Sequence, residues 1–187
     1  YFIFHFLQPI IFYVYGPIIA GQFGISFSIL KAASNLSISW ISPKLPELSR
    51  LFFSNNKPLM NKVFYRYAFY VMAITFLLLT GLNVAYVLLV MLDQEITSRF
   101  LSQDLFLVLS LVSFIDVYVF CLAVYTRAHR EEPFFVISLF SAISAIFLAF
   151  IAIFISFHEF LIVRLFIVMI IVMPWSYMVF RRYKLKH

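Results

Sequence analysis

What most constrains this chain is how rarely a charge interrupts its apolar runs. Stretches long enough to cross a bilayer, about 20 residues each, occupy roughly residues 23–42, 68–92, 105–126, 134–155 and 160–180. A sixth run, 1–15, is shorter and begins abruptly. A segment in lipid must satisfy its own backbone hydrogen bonds, and the alternation of a membrane β-barrel is absent, so these runs are predicted to be helices. Only 12% of the residues are charged and 64% are hydrophobic, against about 25% and 45–50% in a soluble domain. Too little polar surface remains to cover a water-soluble globule. The expected fold is all-α: a polytopic membrane helical bundle of six spans, the first truncated.

Charge in the connections sets the expected orientation. Lys44, Arg50, Lys57, Lys62 and Arg66 lie in segment 43–66, Arg127 and Arg130 in 127–132, and Arg181, Arg182, Lys184 and Lys186 in the tail. With the spans as drawn, these eleven of the fourteen Lys and Arg residues share one side. The other side has Arg99 beside Asp93, Glu95, Asp104 and Glu159. The positive-inside rule makes the basic side cytoplasmic, giving a multi-pass protein of the cell membrane with a cytoplasmic C-terminus. Tyr1 opens inside an apolar run with no basic region before it, which does not fit a signal peptide. The chain reads as the C-terminal part of a longer protein.

Segment 43–66 is the one long connection. Leu45, Leu48, Leu51 and Phe52, then Leu59, Met60, Val63 and Phe64, recur at helical spacing with basic residues between them. Two short amphipathic helices on the cytoplasmic membrane surface are expected, broken at Ser54-Asn55-Asn56. Gly16-Pro17 is expected to make a tight turn after the first run, and Pro174 to kink the last span, where Trp175 and Tyr177 suit the interfacial aromatic belt.

Lys31 stands in the middle of the second span. A lysine at the bilayer centre costs roughly 2.5–3.5 kcal/mol on insertion scales, and half the hydrocarbon core, about 15 Å, is too far for one side chain to snorkel. At about 100° per residue, Gly24, Ser28, Lys31, Asn35, Ser39 and Ser42 form one stripe. Small and polar groups on one face imply close helix packing or contact with water, and the ammonium argues for water. Asp116 sits at similar depth in the fourth span, near Ser113, as an ion-pair or coupling partner for Lys31. The competing reading is a structural pair that locks two helices. Arg164, one turn into the last span, reads as an anchor that snorkels outward. Ser138, Ser141, Ala145, Ala149 and Ala152 read as a packing face without chemistry.

Other chemistries lack their residues. The lone Cys121 allows no internal disulfide framework or cysteine metal site. His5, His129, His158 and His187 have no metal-ligand spacing, and no phosphate loop or nucleophile–base pair is present. No metal, cofactor or catalytic residue is therefore expected. Asn35-Leu36-Ser37 matches a glycosylation sequon inside a span, where no transferase reaches.

AGQFGISFSI (20–29) opening a span, PELSRLF (46–52) just after it, and Asn56-Lys57 before the next helix resemble the C-terminal half of the polysaccharide (O-antigen type) flippases. These belong to the multidrug/oligosaccharidyl-lipid/polysaccharide exporter superfamily. The resemblance covers nearly all of the chain and implies one six-span lobe of a two-lobe transporter fold, the first lobe being absent. It implies a translocase rather than an enzyme, with polyprenyl-diphosphate-linked oligosaccharide as cargo for surface polysaccharide (O-antigen, lipopolysaccharide) synthesis. Its partners would be that cargo, membrane lipids and the missing N-terminal lobe, with no nucleic acid. Lys31 would attract the diphosphate while Ser28, Asn35 and Ser39 meet sugar hydroxyls, and the two lobes would rock to alternate access. Two other functions compete: an ion-coupled multidrug exporter of the same superfamily, and a membrane enzyme of glycan assembly. Cationic drugs favour an acidic cavity, and the short outer connections leave such an enzyme little room for a polar active-site loop.

Overall fold

A computed structural model of the chain describes the backbone of residues 2–92, 95–129 and 132–186, and the side chains of 8–92, 96–129 and 132–184. Seven α-helices, joined by short helical turns and connections, dominate the described residues: α1 Phe2–Ile38, α2 Leu45–Phe53, α3 Lys57–Met91, α4 Gln103–Arg127, α5 Phe134–Ile151, α6 Phe157–Ile167 and α7 Met173–Lys186. No strand occurs among them. The architecture is all-helical, and five helical stretches are long and apolar enough to cross a membrane, as a multi-pass membrane protein requires.

The count of five rather than six comes from α1. Gly16, with φ 86° and ψ 172°, breaks it into two arms. Sixteen residues of straight helix would hold Gln8 and Gly24 about 24 Å apart. Instead, a Cβ added to Gly24 would lie 2.6 Å from Gln8 Nε2. The arms therefore fold back on one another, and the expected turn is a single glycine followed by Pro17, which as the first residue of the second arm gives up no helical hydrogen bond. Residues 2–15 make about 21 Å of helix, short of the roughly 30 Å hydrocarbon core.

Segment 43–66 corrects the expectation of two surface helices. The break does fall at Ser54–Asn56, where Asn55 takes a positive φ of 59° and Asn56 Oδ1 caps the next helix at Leu59 N. Beyond it, Lys57 begins α3 directly, a single helix through to Met91. Leu48, Leu51, Met60 and Phe64 are buried against α4 and α7, with Tyr125 and Phe180, so the apolar face covers protein rather than lipid. His129 ties this cap to α4: its Nδ1 bonds the Tyr125 carbonyl, and its ring lies tilted against Phe52 with centroids 4.2 Å apart.

Long-range hydrogen bonds sort the connections by end. Asn61 accepts from Tyr125 Oη, and Lys184 Nζ donates to Tyr65 Oη. Segment 43–66, the α4 terminus and the C-terminal helix thus share one end, the basic end. At the opposite end Tyr15 Oη bonds the Ile155 carbonyl, Gln22 the Ser98 carbonyl and Tyr86 the Leu101 carbonyl. Asp93, Arg130 and the side chains of Glu95 and Lys186 lie outside the described residues.

The last span carries the expected Pro174 effect in a particular form. Proline has no N–H and its ring collides with the carbonyl four residues back, here Ile170. The chain widens into a π-helical turn over Val168–Val172, with Met173 N bonding Val168 O. Trp175 packs on Phe140 at 5.7 Å, and Tyr177 stays half exposed.

Candidate functional site: a polar layer between two apolar cores

The buried apolar residues fall into two clusters. One, toward the bend end, contains Phe23, Leu30, Leu79, Leu109, Leu148 and Leu161. The other, toward the basic end, contains Ile41, Val71, Val117, Ile137 and Val172. On every long helix polar residues lie between the clusters. They are Ser34 and Ser37 on α1, Thr75 on α3, Ser110, Ser113 and Asp116 on α4, Ser141 on α5 and Arg164 on α6. The bundle is thus two greasy halves separated by a polar layer at mid-height.

Most hydroxyls in the layer are satisfied locally. Ser34 bonds Leu30 O at 2.9 Å, Thr75 bonds Val71 O at 2.7 Å and Ser113 bonds Leu109 O at 2.9 Å. Such bonds to the preceding turn let a hydroxyl sit in an apolar bundle without a partner on another helix. Asn83 Nδ2 on α3 donates across to Ser110 Oγ on α4 at 2.9 Å.

The charged members occupy the centre. Lys31, Ser34, Ser113 and Asp116 line a small cavity of about 70 Å³ closed by Phe27, Ile38, Val117 and Phe120. That is room for a few water molecules, since one needs roughly 10–15 Å³ by this measure, and far too little for a sugar. Asp116 shares this cavity with Lys31, and the buried Arg164 belongs to the same layer. Asp116 and Lys31 thus face each other across the cavity, with Ser34 and Ser113 beside them.

Arg164 corrects the sequence reading. Instead of snorkelling outward it is turned into the bundle, 6% exposed. Its Nη2 reaches Ser141 Oγ at 3.4 Å, a long bond, while Nη1 is buried without a hydrogen-bond partner. The small-residue face of α5 therefore packs as expected at Ala145, Ala149 and Ala152, yet Ser141 within it carries chemistry. No spacing rule marked Arg164. The available signal was its pairing in depth with Asp116, which a single chain shows only once its helices are stacked.

The predicted stripe on α1 splits. Ser28, Asn35, Ser39 and Ser42 are exposed, facing away from the bundle, whereas Lys31 at their edge turns toward Asp116. Buried in their place are Ser26, Ser34 and Ser37, with Ser26 Oγ accepting from Leu101 N at 3.1 Å. The side chain of His5 lies outside the described residues. No group of His, Cys, Asp and Glu that could hold a metal occurs among the described residues.

Fold and site together define a polytopic helical membrane protein with a charged layer at mid-bundle. Comparison with family models, curated proteins and solved structures finds no match to this chain.

Proposed function

We propose that this protein is a flippase, moving oligosaccharide linked to a polyprenyl diphosphate across the cell membrane for surface polysaccharide synthesis. The observation that carries the reading is the exposed polar stripe of α1, with Ser28, Asn35 and Ser39 outward and Lys31 at its edge. Hydroxyls and an amide on the outer face of a membrane helix gain nothing from lipid; they fit water or a second polar surface. A second lobe of the same protein, preceding this one, supplies that surface, and the arm of α1 before Gly16 belongs to the first of six spans in this lobe.

The cargo passes between the lobes along this stripe. The small cavity beside Asp116, about 70 Å³, is too small to hold it. Lys31 is the hinge between the two environments: beside Asp116 when the passage is empty, turned to the diphosphate when it is loaded. The three seryl and asparaginyl groups receive sugar hydroxyls, and the lipid tail stays in the bilayer. The basic end is cytoplasmic by the charge of its connections.

The test is surface glycan display in cells that depend on the full-length protein, with membrane abundance matched. Lys31→Ala is expected to abolish most display and Lys31→Arg to retain part of it. Undiminished display by Lys31→Ala removes Lys31 from the mechanism. Efflux of a cationic dye that survives or improves in Lys31→Ala would place the protein among drug exporters instead.

A further inference from the structure

At the basic end a groove of about 540 Å³ runs between α3 and α7 over a floor of α4, a volume within the roughly 300–1,000 Å³ of small-molecule sites. Its walls are Phe64, Ala68 and Met72 on one side and Tyr177 and Phe180 on the other, and its floor includes Leu122. The seven steps from Tyr177 to Lys184 rise about 10 Å along the helix. Apolar and aromatic surface fills the inner part, and both charged residues of the lining, Arg181 and Lys184, sit at the outer rim.

The rim cations are available. Lys184 is held in place, with Nζ donating to Tyr65 Oη at 2.8 Å and lying 5.0 Å over the Tyr65 ring. Among the described residues the ion pair is elsewhere, at Lys44–Glu47, and no described acidic side chain lines this groove. A second groove, between the first arm of α1 and α5, offers a contrast. Its lining of Pro9, Ile10, Tyr13, Ile146, Phe150 and neighbours holds no charge. An acyl chain suits both grooves; only the first adds a reason to choose the headgroup.

We infer that the α3–α7 groove is a binding site for an anionic glycerophospholipid, its phosphate at Arg181 and Lys184 and an acyl chain along Ala68, Met72 and Phe180. The amphipathic order of the groove, cations outermost and apolar wall inward, matches headgroup over tail. Basic pockets between membrane helices recognise acidic headgroups on this electrostatic ground. The site is independent of the cargo assigned to the α1 stripe, which lies on a different helix.

The experiment measures lipid retention by native mass spectrometry and thermal unfolding of the purified full chain in non-ionic detergent, titrated with phosphatidylglycerol or phosphatidylcholine of matched chains. Each rim cation is worth about fivefold, so wild type is expected to prefer phosphatidylglycerol roughly thirtyfold. Arg181→Gln with Lys184→Gln should bring the two lipids level. Lys57→Gln with Lys62→Gln, at the same end but off the groove, should leave the preference intact. Ala68→Phe should reduce retention of both lipids with the charges untouched. Equal binding of the two lipids by wild type, or a preference that survives the Arg181/Lys184 double variant, overturns the inference. Equal protection by water-soluble glycerol 3-phosphate also overturns it, since that would be an anion site without a lipid groove.

Discussion

Replacing Asp116 by Asn tests the polar layer most directly. The layer holds two cations, Lys31 and Arg164, around a single carboxylate. Arg164 is 6% exposed, with one long bond to Ser141 and one nitrogen unpartnered. Removing one partner of a buried charge pair costs about 3–5 kcal/mol, because the remaining charge loses its compensation. Asp116→Asn leaves the buried Arg164 guanidinium uncompensated and should sit at the top of that range. Arg164→Met leaves Asp116 with Lys31 and removes an expensive buried guanidinium, so about 1–3 kcal/mol is expected. The double variant, Asp116→Asn with Arg164→Met, should be milder than Asp116→Asn alone, since charges within one network couple by roughly 0.5–3 kcal/mol. For a chain of this size 1 kcal/mol moves the midpoint by about 2–4 °C, so Asp116→Asn should lower Tm by roughly 10–20 °C. The assay is thermal unfolding of purified variants in one detergent, followed by intrinsic fluorescence and checked for reversibility. Asp116→Asn as mild as Arg164→Met would refute the reasoning: the carboxyl would then be neutral in the folded protein, and the two cations would be compensated elsewhere.

Gly16→Ala should cost about 1–3 kcal/mol, the range for a side chain forced into a backbone region open essentially to glycine alone; space is not the issue, since nothing lies within 4 Å of an added Cβ. A Tm unchanged from wild type would mean that the bend does not depend on Gly16. Asn83→Leu loses the interhelical bond to Ser110 and should cost about 0.6 kcal/mol, at most about 2, read by the same unfolding assay. A larger loss would make the pair part of the charged layer rather than an isolated link. Leu48→Ala should cost about 2–5 kcal/mol, as for a fully buried leucine, because Leu48 is 0% exposed under the cap of α2. A negligible loss would return α2 to the membrane surface.

The residues made some of these features plain and hid others. The helices are legible because twenty apolar residues in lipid have a single way to satisfy their backbone, and the five long runs fall where the five long helices lie. Ser54-Asn55-Asn56 announced its break through residues that tolerate a positive φ and cap helices. Gly16-Pro17 announced the turn in the same way. The loop helix was misread because amphipathicity records that an apolar face is covered, and not whether lipid or protein covers it. For Arg164 the limitation was depth: one turn in from the helix end looks like snorkelling range until the neighbouring helix is known to offer Ser141 and Asp116.

The sequence by itself determined that this is a bundle of membrane-length helices with its positive charge gathered on one side of the connections. Run length and charge placement are properties of each segment alone, so no neighbour is needed to read them. Tertiary packing alone decided that scattered serines, a threonine, an aspartate and an arginine on different helices share one level, and that Ser28, Asn35 and Ser39 face out while Lys31 turns in. Those are relations between helices, set by rotation and register, and a helix carries no record of either until its partners press against it.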